Sequence, residues 1–169
     1  MLREHEIAAI TEDGPNVFMP LFRAEIVLLS SRKLTSPSKR SISAREAANL
    51  PIVYYNEAVL NAIIDDFFGN EKLKSPVRLH TTNTERLIQY LQSGDYATFT
   101  DGFSRLLSRD AMEEKRGVCH LRPEIYAYVG AFVEQGLDAS TPLMRYCNDL
   151  LRRLHAIAPT YMRKNKFML

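Results

Sequence analysis

The sequence predicts an α/β fold in which strands and helices alternate around a mostly parallel sheet. Three observations predict it. Short β-branched and aromatic runs recur between stretches with helical spacing, and polar cap residues follow directly on several of those runs. Hydrophobic residues make up 46% and charged residues 25% of 169 positions, enough for one domain or two small lobes around a real core.

Taken in order, Glu6 to Thr11 and Ala24 to Leu29 read as short buried strands, with a turn signal at Gly14-Pro15-Asn16 between them. Ser30 to Ile42, rich in Ser, Lys, Arg and Pro, reads as an exposed connection. Ser43-Ala44-Arg45-Glu46 has capping-box spacing and opens a short helix to about Asn49, stopped by Pro51. Pro51 to Tyr55 is β-branched and aromatic, so it is a strand. Leu60, Ile63, Ile64, Phe67 and Phe68 then recur at helical spacing, with Asp65 and Asp66 beside the stripe and Gly69-Asn70 as the stop. Pro76 to Thr81 is strand-like. Thr82-Asn83-Thr84-Glu85 reads as a second capping box, and the helix it opens carries Leu87, Ile88 and Leu91 and closes at Gly94. Tyr96 to Thr100 is a further strand, and Asp101 an N-cap for a helix through Leu106 and Leu107. Val118 to Leu121 and Ile125 to Val133 read as two strands separated by Pro123. Thr141-Pro142 places a cap before a first-turn proline, opening a last helix with Leu143, Cys147, Leu150, Leu151 and Leu154 on one face. Residues 163–169 form a basic tail.

Several function classes find no support. There is no GxSxG, HExxH or GxxxxGK[ST], and the seven glycines are too scattered for a dinucleotide fingerprint. Cys119 and His120 are adjacent in a strand and face opposite ways, and Cys119 and Cys147 lack CxxC spacing, so two reduced thiols and no metal are expected. Asp65-Asp66 and Glu113-Glu114 diverge on their helices as solvated surface. No catalytic residues, cofactor or metal are therefore expected. Residues 44–60 resemble a helix-turn-helix only superficially, because Leu50 to Tyr55 prefers an extended strand and the second helix is acidic outside. A net charge of +2 is too small to mark a nucleic-acid or membrane surface, and no apolar run is long enough for a membrane span. The charged start Met1 to Glu6 lacks the apolar core of a secretory signal, so a cytoplasmic location is expected.

The informative pattern is at the strand ends. Tyr54-Tyr55-Asn56, Thr81-Thr82-Asn83 and Thr100-Asp101 each end a strand and lead into a helix. Open parallel sheets bind ligands outside those ends, where hydroxyl and amide groups can orient a small polar molecule. The expected effector-binding residues are Tyr55, Asn56, Thr81, Thr82, Thr100 and Asp101. The plainer alternative is that Asn56, Thr82 and Asp101 are simply helix caps.

These residues resemble a known family. Glu6 to Ile10 is similar to the strand before the first crossover in the regulatory domain of LysR-type transcriptional regulators, and Met19 to Leu29 resembles that crossover. Ser41 to Pro51 looks like the short helix after it, and Leu87 to Gly94, following Thr81-Thr82, like the family's polar-capped leucine-rich helix. His120 to Pro123 would be the return crossover, and Ile125 to Arg152 the closing strand and amphipathic helix. The resemblance implies a type 2 periplasmic-binding-protein-like α/β fold, with an effector cleft between two lobes. Residues 22–122 would form one complete Rossmann-like effector-binding lobe, lobe two. Residues 1–21 and 123–169 would be a remnant of lobe one with the closing strand and C-terminal helix.

It further implies an effector-sensing domain truncated at the N-terminus, reaching DNA only through a domain absent from this chain, with a small-molecule effector and no membrane partner. The uncovered remnant would pair with another chain as a homo-oligomer or pack back on lobe two. Where the family commonly has a glycine-rich strand ending in Leu-Pro, this chain has Tyr96 to Asp101, and Asp101 opposes a bare anion, favouring an amine or polyhydroxylated ligand. Two rival readings are a stand-alone solute-binding module and a ligand-free protein-interaction domain.

Overall fold

The alternation of strand and helix is what the chain adopts in the structure, a computed structural model that describes residues 16–36, 38–101, 116–134, 136, 138 and 140–157. The described elements run β1 (Asn16–Ser31), β2 (Ser41–Ser43), α1 (Ala44–Ala47), β3 (Ile52–Tyr55), α2 (Ala58–Gly69), β4 (Val77–Thr81), α3 (Thr84–Ser93), β5 (Thr98–Asp101), β6 (Arg116–Glu134) and α4 (Pro142–Ile157). Two compact units emerge: unit 1 is Met1–Ala24 with Tyr126–Leu169, and unit 2 is Glu25–Ile125.

In unit 2 a sheet of order β2-β6-β1-β5 adjoins a parallel pair of β3 and β4. A parallel bridge between Ile52 and Ala97 joins them, with Val53 N donating to Ala97 O at 2.9 Å and Ala97 N to Pro51 O at 3.0 Å. The buried Thr98 hydroxyl adds a bond to Val53 O at 2.7 Å. Across the sheet the order is therefore β4-β3-β5-β1-β6-β2. β5 is antiparallel to β1, with Leu28 opposite Phe99 and Ile26 opposite Asp101, while β2 runs parallel to β6.

α2 follows its hydrophobic stripe: Leu60, Ile63, Ile64, Phe67 and Phe68 are all buried, whereas Asp65 and Asp66 are exposed. The stripe meets β5 through Phe99, whose ring centroid is 6.1 Å from Phe67, 6.0 Å from Phe68 and 6.2 Å from Tyr54. Edge-to-face rings at this spacing fill the centre of the unit. The strand Ile52–Tyr55 also disposes of the helix-turn-helix resemblance, since it occupies the would-be turn.

Several expectations need correction. The strand expected over 24–29 extends from Asn16 to Ser31, and the two strands expected around Pro123 are one, β6. A proline removes a single ladder donor, and the β2 ladder ends at Arg122, one residue before it, so that pairing loses no bond and the strand carries through. The connection expected to be exposed from Ser30 onward instead buries Ser30, Ser31 and Thr35. The hydroxyls of Ser30 and Thr35 bond each other and Ser31 Oγ donates to Gly94 O at 2.5 Å, which satisfies these groups inside the fold.

The first capping box forms, but α1 ends at Ala47 rather than Asn49. α2 stops through an αR cap at Asn70, with the left-handed residue delayed to Lys72 at φ 56°. The expected strand over 6–11, the helix after Asp101, Glu113-Glu114 and the basic tail lie outside the described residues.

α3 closes as the sequence indicates, on Gly94 at φ 80°. A Cβ there would sit 3.5 Å from the Lys33 side chain, an ordinary contact, so the left-handed backbone alone sets the penalty. Gly94→Ala is expected to lower stability by about 1 kcal/mol, and Gly94→Asn by less, in urea titrations.

In unit 1, Phe18 of β1 packs edge-on against Phe132 of β6 with centroids 5.4 Å apart. Thr141 caps α4 through Oγ1, which accepts from Met144 N at 3.4 Å, and on the expected apolar face Cys147 is buried and Leu150 half-buried, while the side chains of Leu151 and Leu154 lie outside the described ones. Leu143, expected on the same face, is instead 39% exposed. Both cysteines are free and buried.

Candidate functional site

The three strand termini are brought to one edge of unit 2. In the parallel β3–β4 pair Tyr55 stands opposite Thr81, and Asn56 N donates to Thr81 O at 2.8 Å. β5 runs parallel to β3 from the single Ile52–Ala97 bridge, so its end at Thr100 and Asp101 lies on the same side of the unit as the ends of β3 and β4. All six residues thus belong to the carboxyl ends of adjacent parallel strands, the edge at which helices α2 and α3 begin.

Their side chains are used differently. Thr81 is buried, and its hydroxyl accepts from Asn83 N at 3.1 Å and donates to Asn83 O at 3.3 Å, so it braces the turn into α3. This brace moves the cap of α3 one residue past the expected Thr82, to Asn83, whose Oδ1 accepts from Arg86 N at 3.0 Å. Asparagine is also the stronger cap. The cap of α2 is not Asn56 but Glu57, whose carboxylate accepts from Val59 N at 3.3 Å and Leu60 N at 2.5 Å. Asn56 and Thr82 are therefore exposed polar side chains with no hydrogen bond to the described residues. Thr100 Oγ1 makes one long bond to Asp101 O, at 3.4 Å, and both residues are half-buried. Tyr55 is half-buried beside them.

Sequence reasoning missed three features. Glu57 is one, because glutamate is not a preferred cap. A second is beside Asp101's partner Ile26, where the Glu25 carboxylate pairs with His120 Nδ1 at 2.6 Å. The third is Arg23, whose guanidinium lies over the ring of Tyr126. Both pairs join distant strands and leave no local signature.

Two groups with reactive side chains have their ionised forms disfavoured by burial. Burial pushes the Tyr54 phenol up to about 12, with Asp65 adding to it and the Ser75 hydroxyl opposing it, so it stays a neutral hydrogen-bonding group. Burial likewise pushes the Cys119 thiol up, against a hydrogen bond from Thr35, which suppresses the nucleophilic thiolate. Among the described residues no three His, Cys, Asp or Glu side chains gather to hold a metal ion, and no helix is long and apolar enough to cross a membrane.

Comparison with solved structures shows which folds this chain is similar to. The effector-binding domain of QuiR in complex with shikimate superposes with a TM-score of 0.63 at 13% identity, covering 85% of this chain and 67% of that one. The regulatory domain of MetR, a LysR-family regulator from N. meningitidis, gives 0.61 at 13% identity over 94% of this chain and 71% of that one. The chain has the fold of a LysR-type effector-binding domain. The GluR0 ligand-binding core, in complex with L-glutamate, matches at 0.57 and 18% identity over 88% of this chain and 63% of that one. The shared architecture is therefore the periplasmic-binding-protein-like α/β fold. No protein-family model and no curated protein matches the chain in sequence.

Proposed function

We propose that this chain is the effector-sensing domain of a LysR-type transcriptional regulator, and that it is not an enzyme. One observation supports the reading: parallel strands β3 and β4 end side by side, with Tyr55 opposite Thr81, and Asn56 and Thr82 just beyond them are exposed and without hydrogen bonds to the described residues. In the same fold, QuiR is an effector-binding domain in complex with shikimate. A small polar molecule would sit on the rim of Tyr55, Asn56, Thr81, Thr82, Thr100 and Asp101, with Thr81 shaping the turn and Asn56 and Thr82 donating and accepting. Binding would shift the population between conformations in proportion to differential affinity. DNA would be reached through a separate domain, and the exposed Phe132, Leu143 and Tyr146 support assembly as a homo-oligomer. The likeness to the GluR0 core supports a second reading, a stand-alone solute-binding module.

A thermal-shift screen of polar metabolites tests the rim. A ligand at a hundred times its Kd adds about 2.7 kcal/mol, several degrees for a chain of this size. Thr82→Ala and Asn56→Ala should each weaken that ligand roughly five- to tenfold, the worth of one hydrogen bond. A ligand whose affinity survives both changes would remove the rim assignment.

A further inference from the structure

Helix α2 begins at the edge assigned to the ligand, and a carboxylate of the chain itself closes its first turn. Glu57, half-buried after Asn56, folds its side chain back so that Oε1 accepts from Val59 N at 3.3 Å and Oε2 from Leu60 N at 2.5 Å. The next amide, Asn61 N, goes to Glu57 O at 3.0 Å. Such amides, left unpaired at the head of a helix, draw an anion. A negative charge held against them suits the helix and withdraws them from any other acid.

Capping alone does not call for a glutamate here. Asn56, one residue earlier, is of a type far better suited to it, yet its side chain is exposed and makes no hydrogen bond to the described residues. At the neighbouring helix of the same edge a neutral side chain serves: Asn83 Oδ1 accepts from Arg86 N at 3.0 Å. Asp101 ends β5 on that side too, so a second acid lies there. An acidic ligand would meet amides already taken and a like charge in front of them, and discrimination of this kind needs both.

We propose that Glu57 is a specificity-determining residue of the rim: its carboxylate stands in the place of an anionic ligand at the head of α2, so the rim selects neutral or cationic polar molecules over acids. This role rests on the rim being the binding edge, and adds to it the charge class of the ligand.

The test follows backbone amide signals of the full chain by proton–nitrogen correlation NMR. The probes are acetate, acetamide and acetamidinium, matched in shape and differing in charge, together with inorganic phosphate, all at constant ionic strength in chloride. In the wild type the Val59 and Leu60 amides should stay unmoved by acetate and phosphate. Those of Asn56 and Thr82 should move further with acetamidinium or acetamide than with acetate. Glu57→Gly, a residue accepted at a cap, vacates the two amides, and both signals should then shift saturably with phosphate, an affinity gain of about tenfold or more. Glu57→Gln keeps the length and loses the charge. It should move the same signals by a smaller amount, and it carries the test if the glycine variant fails to fold. Saturable shifts of Val59 and Leu60 with acetate or phosphate in the wild type overturn the proposal, as does silence of both amides in folded Glu57→Gly. Asn56 and Thr82 signals that answer none of the probes overturn it by a separate route, through the rim itself, while Val59 and Leu60 report on Glu57 alone.

Discussion

Phe99→Ala is expected to lower the stability of unit 2 by about 4 kcal/mol, a drop of roughly 10 °C in melting temperature. Phe99 is 2% exposed and touches three rings, those of Tyr54, Phe67 and Phe68, besides standing opposite Leu28 in the β1–β5 ladder. Truncation removes the transfer free energy of the ring and opens a cavity between β5 and α2, which a sheet pinned on both sides by hydrogen bonds cannot collapse to fill. Phe99→Leu refills part of that space and should recover more than half of the loss. Phe132 provides the contrast. It is 53% exposed and meets only the Phe18 ring among the described aromatic contacts, so Phe132→Ala should lower stability by about 1 kcal/mol or less. Urea titrations of the three variants decide the matter: similar losses for Phe99→Ala and Phe132→Ala would mean that the aromatic cluster is not the centre of the core.

How much of this was legible in the sequence follows the range of the interactions involved. α2 was readable because its stripe obeys one local period, and Leu60, Ile63, Ile64, Phe67 and Phe68 all bury as that period requires. The common edge of the three polar strand ends was readable too, since successive parallel strands joined by helices must finish on the same side. Failures began where two local rules competed. Thr82 and Asn83 both satisfy cap chemistry, and the choice fell to Asn83 because Thr81 bonds it from within the turn. Pro123 signals a break, yet it falls just past the last β2 pair at Arg122, where its missing donor costs that ladder nothing. Pairings between strands were beyond any local rule: Glu25 and His120 are 95 residues apart, and nothing in either segment announces the other.

Lowering the pH from 5 toward 2 is expected to remove a stabilising contribution centred on Glu46, and Glu46→Gln should isolate it. The Lys39 ammonium, 2.7 Å from Oε1, does most to hold this carboxyl at about 2 against an ordinary 4.5, and Ser43 assists through its amide and hydroxyl. Arg122 Nη2 adds a contact at 3.3 Å, so one carboxylate links the turn before β2, the cap of α1 and strand β6. A carboxyl whose value falls on folding stabilises fully above its unfolded value and loses that effect as pH descends through the folded one. The window is therefore about 4.5 down to about 2. The side chain is 40% exposed, and solvent screening reduces the charge contribution to about 1 kcal/mol. Glutamine at this position keeps one acceptor for the capping box and loses the charge together with the hydrogen bond from Lys39. Glu46→Gln should then be about 1 kcal/mol less stable than wild type at pH 7, with the gap closing as the medium is acidified. Glu46→Ala also strands the Ser43 amide, and about 1 kcal/mol of its loss should persist in acid. Urea midpoints taken between pH 7 and pH 3 separate the two contributions, and a gap between wild type and Glu46→Gln that stays constant across that range would leave the cap geometry, rather than the charge, as the source of stability.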